Sequence, residues 1–284
     1  MTSNRILMRA LGATALVALA AGPAFAQDEE GGLPDDPYSL TLGAGVGYVP
    51  SYEGSDDYVI TPIGVAFGRV AGFGFATRGT GLWVDLIPDS SNAPVSFELG
   101  PVAYVRLDRT SRIKDPRVRA LGEMDTAIEL GAHGAITKNG VFHQYDRLTA
   151  RVTWQKDVTD THDSTVITPA IEYGTPLSTR TYAQLGLQAE RVGDGYARTY
   201  FSIDAAGATR SGLPAYAADG GWKNWRASLF LGQVLTGDLR DPGLSLFGGF
   251  AYSKLTGDFK RSPIVSMAGD HDQFYAIAGL SYTF

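Results

Sequence analysis

The chain has 284 residues, 24 Lys and Arg against 30 Asp and Glu, a formal net charge of −6, and no cysteine. An acidic balance disfavours nucleic-acid binding, which calls for a basic surface. The lack of thiols removes disulfides, thiolate zinc sites and cysteine nucleophiles.

The first elements predicted are those of export. Arg5 and Arg9 precede a short apolar run from Leu11 to Ala21, then Pro23 and the small-x-small triplet Ala24-Phe25-Ala26. This is the order of a secretory signal peptide, with cleavage expected between Ala26 and Gln27. The apolar run is shorter than the ~20 residues a spanning helix needs. Cleavage removes two arginines and no acid, taking the charge from −6 to −8. Residues 27–37 are acidic and rich in Gly and Pro, and read as a short disordered periplasmic lead-in.

From Tyr38 the sequence changes to a period of two. Tyr38, Leu40, Leu42, Ala44, Val46 and Tyr48 alternate with Ser39, Thr41, Gly43, Gly45 and Gly47. A strand with lipid on one side and a lumen on the other has this pattern, aromatic ends included. The same alternation recurs over 94–108, 143–157, 180–191 and 222–236. In each, charges such as Glu98, Arg106, Arg151, Glu190 and Arg226 fall on one parity. Charges of both signs would therefore meet across a narrow interior.

Twelve strands are predicted, at 38–49, 57–69, 71–78, 80–87, 94–108, 124–137, 143–157, 164–174, 180–191, 222–236, 242–255 and 272–284. Bacterial barrels have an even strand number, so both termini should be periplasmic. The count drops to ten if Gly79-Thr80-Gly81 is a bulge and another pair fails with it. The expected fold is an all-β, transmembrane, antiparallel up-and-down β-barrel in one domain, 38–284. Long connections, including a basic Arg109–Glu123 loop and Val192–Gly221, fall at the extracellular end. Short turns fall at the other. Pro62, Pro101 and Pro169 suggest bulges or bends.

The chain ends with Leu280, Tyr282 and Phe284 on one parity. A terminal aromatic row on an exposed strand edge suits recognition by the barrel-assembly machinery through strand addition.

Three blocks resemble the MipA/OmpV outer-membrane family. The first surrounds Tyr52, Gly54, Ser55, Asp56 and Asp57; the second holds Gly212, Leu213, Pro214 and Tyr216; the third holds Ser262, Pro263, Ile264 and Val265. The resemblance implies a non-enzymatic outer-membrane barrel that acts as a scaffold linking a periplasmic murein hydrolase and a murein synthase. It supplies no catalytic motif and no cofactor. The residues themselves leave a narrow pore, a lipopolysaccharide-binding surface and an outer-membrane hydrolase as alternatives, and the resemblance adds an adhesin.

Locally, Glu53 to Asp57 read as an acidic, solvated turn at the outer rim. Its carboxylates would suit a divalent cation or a bridge to lipopolysaccharide. Arg109, Arg112, Lys114, Arg117 and Arg119 read as a basic loop shaped for lipopolysaccharide phosphates. His133 is placed in the lumen with Glu129, His143 near a turn, and His162 and His271 in loops beside Asp163 and Asp270. Neither a G-x-S-x-G elbow nor an H-E-x-x-H pair is present.

Overall fold

The computed structural model describes residues 38–88 and 93–284. The expected leader, its Ala26–Gln27 cleavage point and the 27–37 lead-in lie outside the described residues. Twelve antiparallel strands close on themselves in sequence order: β1 Ser39–Pro50, β2 Tyr58–Val70, β3 Phe73–Arg78, β4 Gly81–Asp85, β5 Val95–Arg106, β6 Ala127–Asn139, β7 Arg147–Asp157, β8 Thr165–Pro176, β9 Thr181–Val192, β10 Gly221–Val234, β11 Gly243–Leu255 and β12 Asp272–Thr283. The first and last strands seal the ring, with Leu42 opposite Tyr282 and Tyr48 opposite Ala276. Closure satisfies backbone groups that lipid could not, which is why a spanning sheet has to be a barrel.

The parity assignments hold. Leu42, Val46 and Tyr48 of β1, Leu185 and Leu187 of β9 and Leu280 of β12 are exposed, while Thr41, Gln184 and Ser281 are buried inside. Aromatic pairs mark both rims of this apolar belt. Tyr48 stacks on Tyr58 at 4.8 Å and Trp225 meets Tyr252 at 5.2 Å at one rim; Tyr282 meets Phe284 at 4.9 Å at the other. Their amphipathic rings suit the lipid headgroup level.

Gly79-Thr80 is a true hairpin turn, so the count is twelve. Gly79 takes φ +63°, which glycine adopts freely. The hairpin is short, however. β3 pairs with β2 only at Phe67–Val70, and β4 pairs with β5 at Val102–Tyr104. Elsewhere the predicted bounds differ by a few residues. The strand expected at 143–157 begins at Arg147 because Asp146 closes the preceding turn, accepting from the backbone N–H groups of Val141, Phe142 and His143.

The prolines correct an expectation. None makes a bulge; each occupies a ladder position that has no partner for its missing N–H. Pro62 faces the side of β2 left uncovered by β3, Pro101 lies just beyond the β4–β5 ladder, and Pro169 falls in a gap of the β8–β9 ladder. The register shift in the β9–β10 ladder lies between Trp222 and Asn224.

The largest departure from the sequence reading lies in the long connections. They do not extend into solvent. They carry five short helices: α1 Pro116–Leu121, α2 Asp194–Phe201, α3 Ala205–Ser211, α4 Gly257–Arg261 and α5 Pro263–Ser266. These pack together at the end of the barrel that carries the long connections. Tyr196, Tyr200, Phe201, Phe259, Leu255 and Val265 form one buried cluster; Tyr52, Ile113, Val118, Leu213 and Ile264 form another. The two clusters make a plug.

Candidate functional site

Beneath the plug, inward-facing charges of neighbouring strands form two tiers of ion pairs. In the upper tier, Arg106 Nε donates to Glu129 Oε1 at 2.6 Å, and a second nitrogen lies 3.6 Å from Glu190. Lys223 Nζ lies 2.8 Å from both Glu53 and Glu190. The α2 helix enters this tier through Tyr196. Its hydroxyl donates to Glu53 at 2.9 Å and accepts from Lys223 at 2.9 Å and Arg106 at 3.1 Å. The plug is thus keyed to the wall by a phenol that burial pushes well above its ordinary pKa, so it stays protonated and donating.

In the lower tier, Arg78 at the β3 end pairs across the lumen with Glu172 at 2.7 Å. Arg151 pairs with Glu98 at 2.6 Å and approaches Glu172 at 3.8 Å. His133 lies with this tier, as its parity predicts: Nε2 is 3.1 Å from Val84 O and Nδ1 3.1 Å from Arg151. A cavity of about 190 Å³ is left between the plug and this tier, and one of about 130 Å³ lies toward the periplasmic mouth. Arg78, Trp83 and Arg151 line both.

The three motif blocks, far apart in sequence, converge in the plug. The Tyr52 hydroxyl donates to Ala268 O. Gly54 N donates to Gln273 Oε1 at 3.1 Å, and Gln273 Nε2 donates to Ser55 O at 2.9 Å. Ser55 Oγ also accepts from Asp57 N at 3.1 Å. Gly212 caps α3 in the left-handed region at φ +73°, turning the chain so that Leu213 is buried. Pro214 is exposed, and Tyr216 ties the plug through Ile203 and Asp258 O. The Ser262 hydroxyl donates to Phe201 O at 2.6 Å, and Pro263, Ile264 and Val265 are buried.

The first motif therefore departs from its reading as a solvated rim turn. Tyr52, Gly54 and Ser55 are buried; Asp56 is exposed, and Glu53 is spent on Lys223 and Tyr196. The reason is the apolar neighbours supplied by distant loops. Gly54, at φ +95°, has room for no side chain: an added Cβ would sit 2.5 Å from Val265 Cγ2. A Gly54→Val variant is expected to displace α5 and cost about 1–3 kcal/mol, as overpacking does. Urea-unfolding midpoints of the refolded barrel in vesicles measure it.

Of the basic loop only Arg109 is drawn inward; Arg112, Lys114, Arg117 and Arg119 are exposed. Arg109 is buried and donates to Tyr200 O and Gly122 O. Arg112 donates to Ile60 O and to the Thr61 hydroxyl, Arg117 is paired with Asp115 at 2.7 Å, and Arg119 donates to Ile113 O and Lys114 O. His162 lies in the β7–β8 connection, as expected, but is buried there, 3.0 Å from Glu129, against Tyr196 and Tyr200. Sequence reasoning placed Glu53 in a solvated turn and missed Tyr196 and Lys223. The available signal was an apolar run, Tyr-Ala-Arg-Thr-Tyr-Phe, within a supposed surface loop.

Asp108 follows β5 at the plug and accepts from Glu53 N at 2.7 Å. Burial, then repulsion from Glu53, pushes its pKa up to about 6. A raised carboxyl pKa favours the protonated fold, so this contribution is fully present below the unfolded value of about 4 and is lost as pH rises through 6. An Asp108→Asn variant is expected to remove that slope from urea midpoints measured between pH 4 and 7. An unchanged slope would contradict the assignment.

Among the described residues, Asp270, His271 and Asp272 could together reach a metal ion. Asp272 is already 3.1 Å from Lys254, and His271 lies between the two acids at 3.2 and 3.3 Å. The aromatic row of the last strand points outward, with Leu280, Tyr282 and Phe284 all exposed.

A sealed ring, a lipid-facing belt and a lumen filled by charge pairs under a helical plug define the class: a plugged outer-membrane β-barrel. The chain belongs to a particular family within it, that of the MltA-interacting protein MipA, whose family model matches residues 42–284. No curated protein sequence shows significant similarity. Solved structures with a similar course include an outer membrane channel from Pseudomonas putida, with 12% identity, 91% of this chain and 100% of that chain covered, and a TM-score of 0.46. The channel DcaP of Acinetobacter baumannii has 11% identity, coverage of 87% and 96%, and a TM-score of 0.37. The outer membrane protease OmpT from Escherichia coli has 11% identity, coverage of 90% and 99%, and a TM-score of 0.30.

Proposed function

We propose that this barrel is a non-enzymatic, non-conducting scaffold of the outer membrane that brings a periplasmic murein hydrolase together with a murein synthase. The description of its family, an MltA-interacting protein, supports the hydrolase as partner. The observation that carries the reading is the doubly tied lumen. Tyr196 locks the plug to Arg106, Glu53 and Lys223, and Arg78 and Arg151 bridge the wall below it. A barrel so filled offers its surfaces and not a channel.

Under this reading the apolar belt contacts outer-membrane lipid and lipopolysaccharide, and the terminal row Leu280, Tyr282 and Phe284 is what the barrel-assembly machinery grips. The buried Glu129–His162 pair is spent on Arg106, which speaks against a hydrolase built on that pair.

Two experiments test it. Affinity capture of the solubilised barrel from envelope extract should enrich a lytic transglycosylase and a murein synthase; recovery of neither would overturn the scaffold. Planar-bilayer recording should show no steady open level, whereas a large constant conductance would favour the narrow-pore reading.

A further inference from the structure

The short β3–β4 hairpin leaves the barrel wall incomplete in its extracellular half. Above Phe67, β2 has no strand partner on that side, although it continues to Tyr58. At the hairpin tip, β2 and β5 are three inter-strand spacings apart, about 14 Å at ~4.8 Å each. The opening is bounded. The Gly79-Thr80 tip forms its sill, residues 60–66 of β2 one jamb, and Tyr104–Arg106 of β5 the other. Its lintel is the β5–β6 connection, where Arg112 crosses to Ile60 O and Thr61, and Asp108 holds Glu53 N.

The free edge of β2 is adapted to this position. Pro62 has no N–H to offer, the Ala66 N–H is taken by the Thr77 hydroxyl at 2.8 Å, and Ile60 O by Arg112. Gly64 faces open space outside the wall, an added Cβ there meeting nothing nearer than 4.0 Å. Unladdered backbone at membrane depth is tolerated where it borders a polar cavity or protein. Such a cavity borders the opening at its sill and β5 side: the 190 Å³ space under the plug has Thr80, Tyr104 and Leu107 in its lining.

The lining is amphipathic. Val49, Trp83, Tyr104 and Tyr275 give it an apolar side. On its polar side, four buried atoms have no hydrogen-bond partner among the described residues: Thr80 Oγ1, Gln155 Nε2, and the Nε of Arg78 and of Arg151. Gln155 Nε2 and the two arginine Nε are donors in want of an acceptor, and the Thr80 hydroxyl can donate or accept. Most of the formal charges are engaged with one another, Lys223 with Glu53 and Glu190, Arg106 with Glu129, and Arg78 and Arg151 with Glu172 and Glu98, while Arg226 lies over the Tyr275 ring and Asp108 accepts from Glu53 N. A charged guest would have to break those pairs; an uncharged one with acceptor oxygen would complete the donors.

We propose that the window between β2 and β5 is a lateral portal, and that the cavity behind it binds a small uncharged amphiphile drawn from the outer leaflet. The space, about 190 Å³, suits a short alkyl or single-ring compound with a hydroxyl or carbonyl head. Arg112 is the latch of the portal and Trp83 its internal reporter.

The test uses the barrel reconstituted in phosphatidylcholine vesicles, with Trp154, Trp222 and Trp225 changed to Phe so that only Trp83 emits. Bromohexanol is the probe and bromohexanoate its charged counterpart. Bromohexanol should quench Trp83 saturably. Thr80→Phe, which fills the sill, should weaken apparent affinity roughly ten-fold, and bromohexanoate should bind more weakly by a similar factor. Arg112→Ala should speed quenching without changing its end point. Should Thr80→Phe fail to fold, as judged by heat-modifiable electrophoretic mobility, Gln155→Leu serves instead, with weaker affinity expected. Quenching that rises linearly without saturation, or affinity untouched by the folded cavity variant, would overturn the site. Equal binding of the carboxylate would overturn the ligand class, and a rate indifferent to Arg112→Ala would overturn the lateral route.

Discussion

A Glu129→Ala variant is expected to lose about 3–5 kcal/mol of stability, the usual cost of stripping one partner from a buried ion pair. Glu129 is fully buried and accepts from Arg106 at two nitrogens, 2.6 and 3.2 Å, while His162 Nε2 lies 3.0 Å away. Removing the carboxylate leaves the Arg106 guanidinium with Tyr196 at 3.1 Å, Glu190 at 3.6 Å and the face of the Tyr104 ring. Because the same tier holds α2, the loss should appear first in the plug. Limited proteolysis within 193–220 should accelerate before the sheet unfolds, and urea titration in vesicles should show the loss of stability. Glu129→Gln keeps an acceptor for Arg106 and should cost less. A wild-type midpoint for Glu129→Ala would show that the tier does not hold the plug.

The second large effect is expected on the opposite face of the same wall. Leu280 is exposed on β12, opposite Ala44 of β1 and Leu246 of β11, midway between the aromatic rims. Arginine at such a level costs about 2–4 kcal/mol, falling to ~0–1 near the interface. Leu280→Arg should therefore destabilise the folded barrel strongly in vesicles, and Phe284→Arg, at the rim, should alter unfolding far less. The contrast isolates depth from strand position, since both side chains lie on one parity of the same terminal segment. Equal costs at the two positions would place Leu280 outside the hydrocarbon.

The wall was readable from sequence because one physical rule governs it. Each strand has lipid on one side and a lumen on the other, so Leu42, Val46 and Leu280 must alternate with Thr41, Gly43 and Ser281. The ion-pair tiers follow from the same parity, which placed Glu98, Arg106, Glu129, Arg151 and Glu190 inside before any contact was known. The plug obeys no such rule. Its helices span four to eight residues, too short for a 3.6-residue pattern to emerge and too short to be stable alone. Tyr52, Leu213 and Ile264 become a core only when three loops meet, so each looked like an apolar residue in a solvated turn. The hairpin shows the same limit in the wall: Gly79-Thr80-Gly81 fixes a turn, but nothing in it says how high that turn stands.

The claim beneath all of this is the two-faced wall, and nitroxide scanning of β1 in vesicles tests it most directly. Labels placed singly from Leu40 to Tyr48 should alternate: high access to oxygen and low access to a water-soluble nickel chelate at 40, 42, 46 and 48, with oxygen access falling sharply at 41 and 47. Uniform access of the nickel reagent to both parities would contradict a strand set between lipid and a filled lumen.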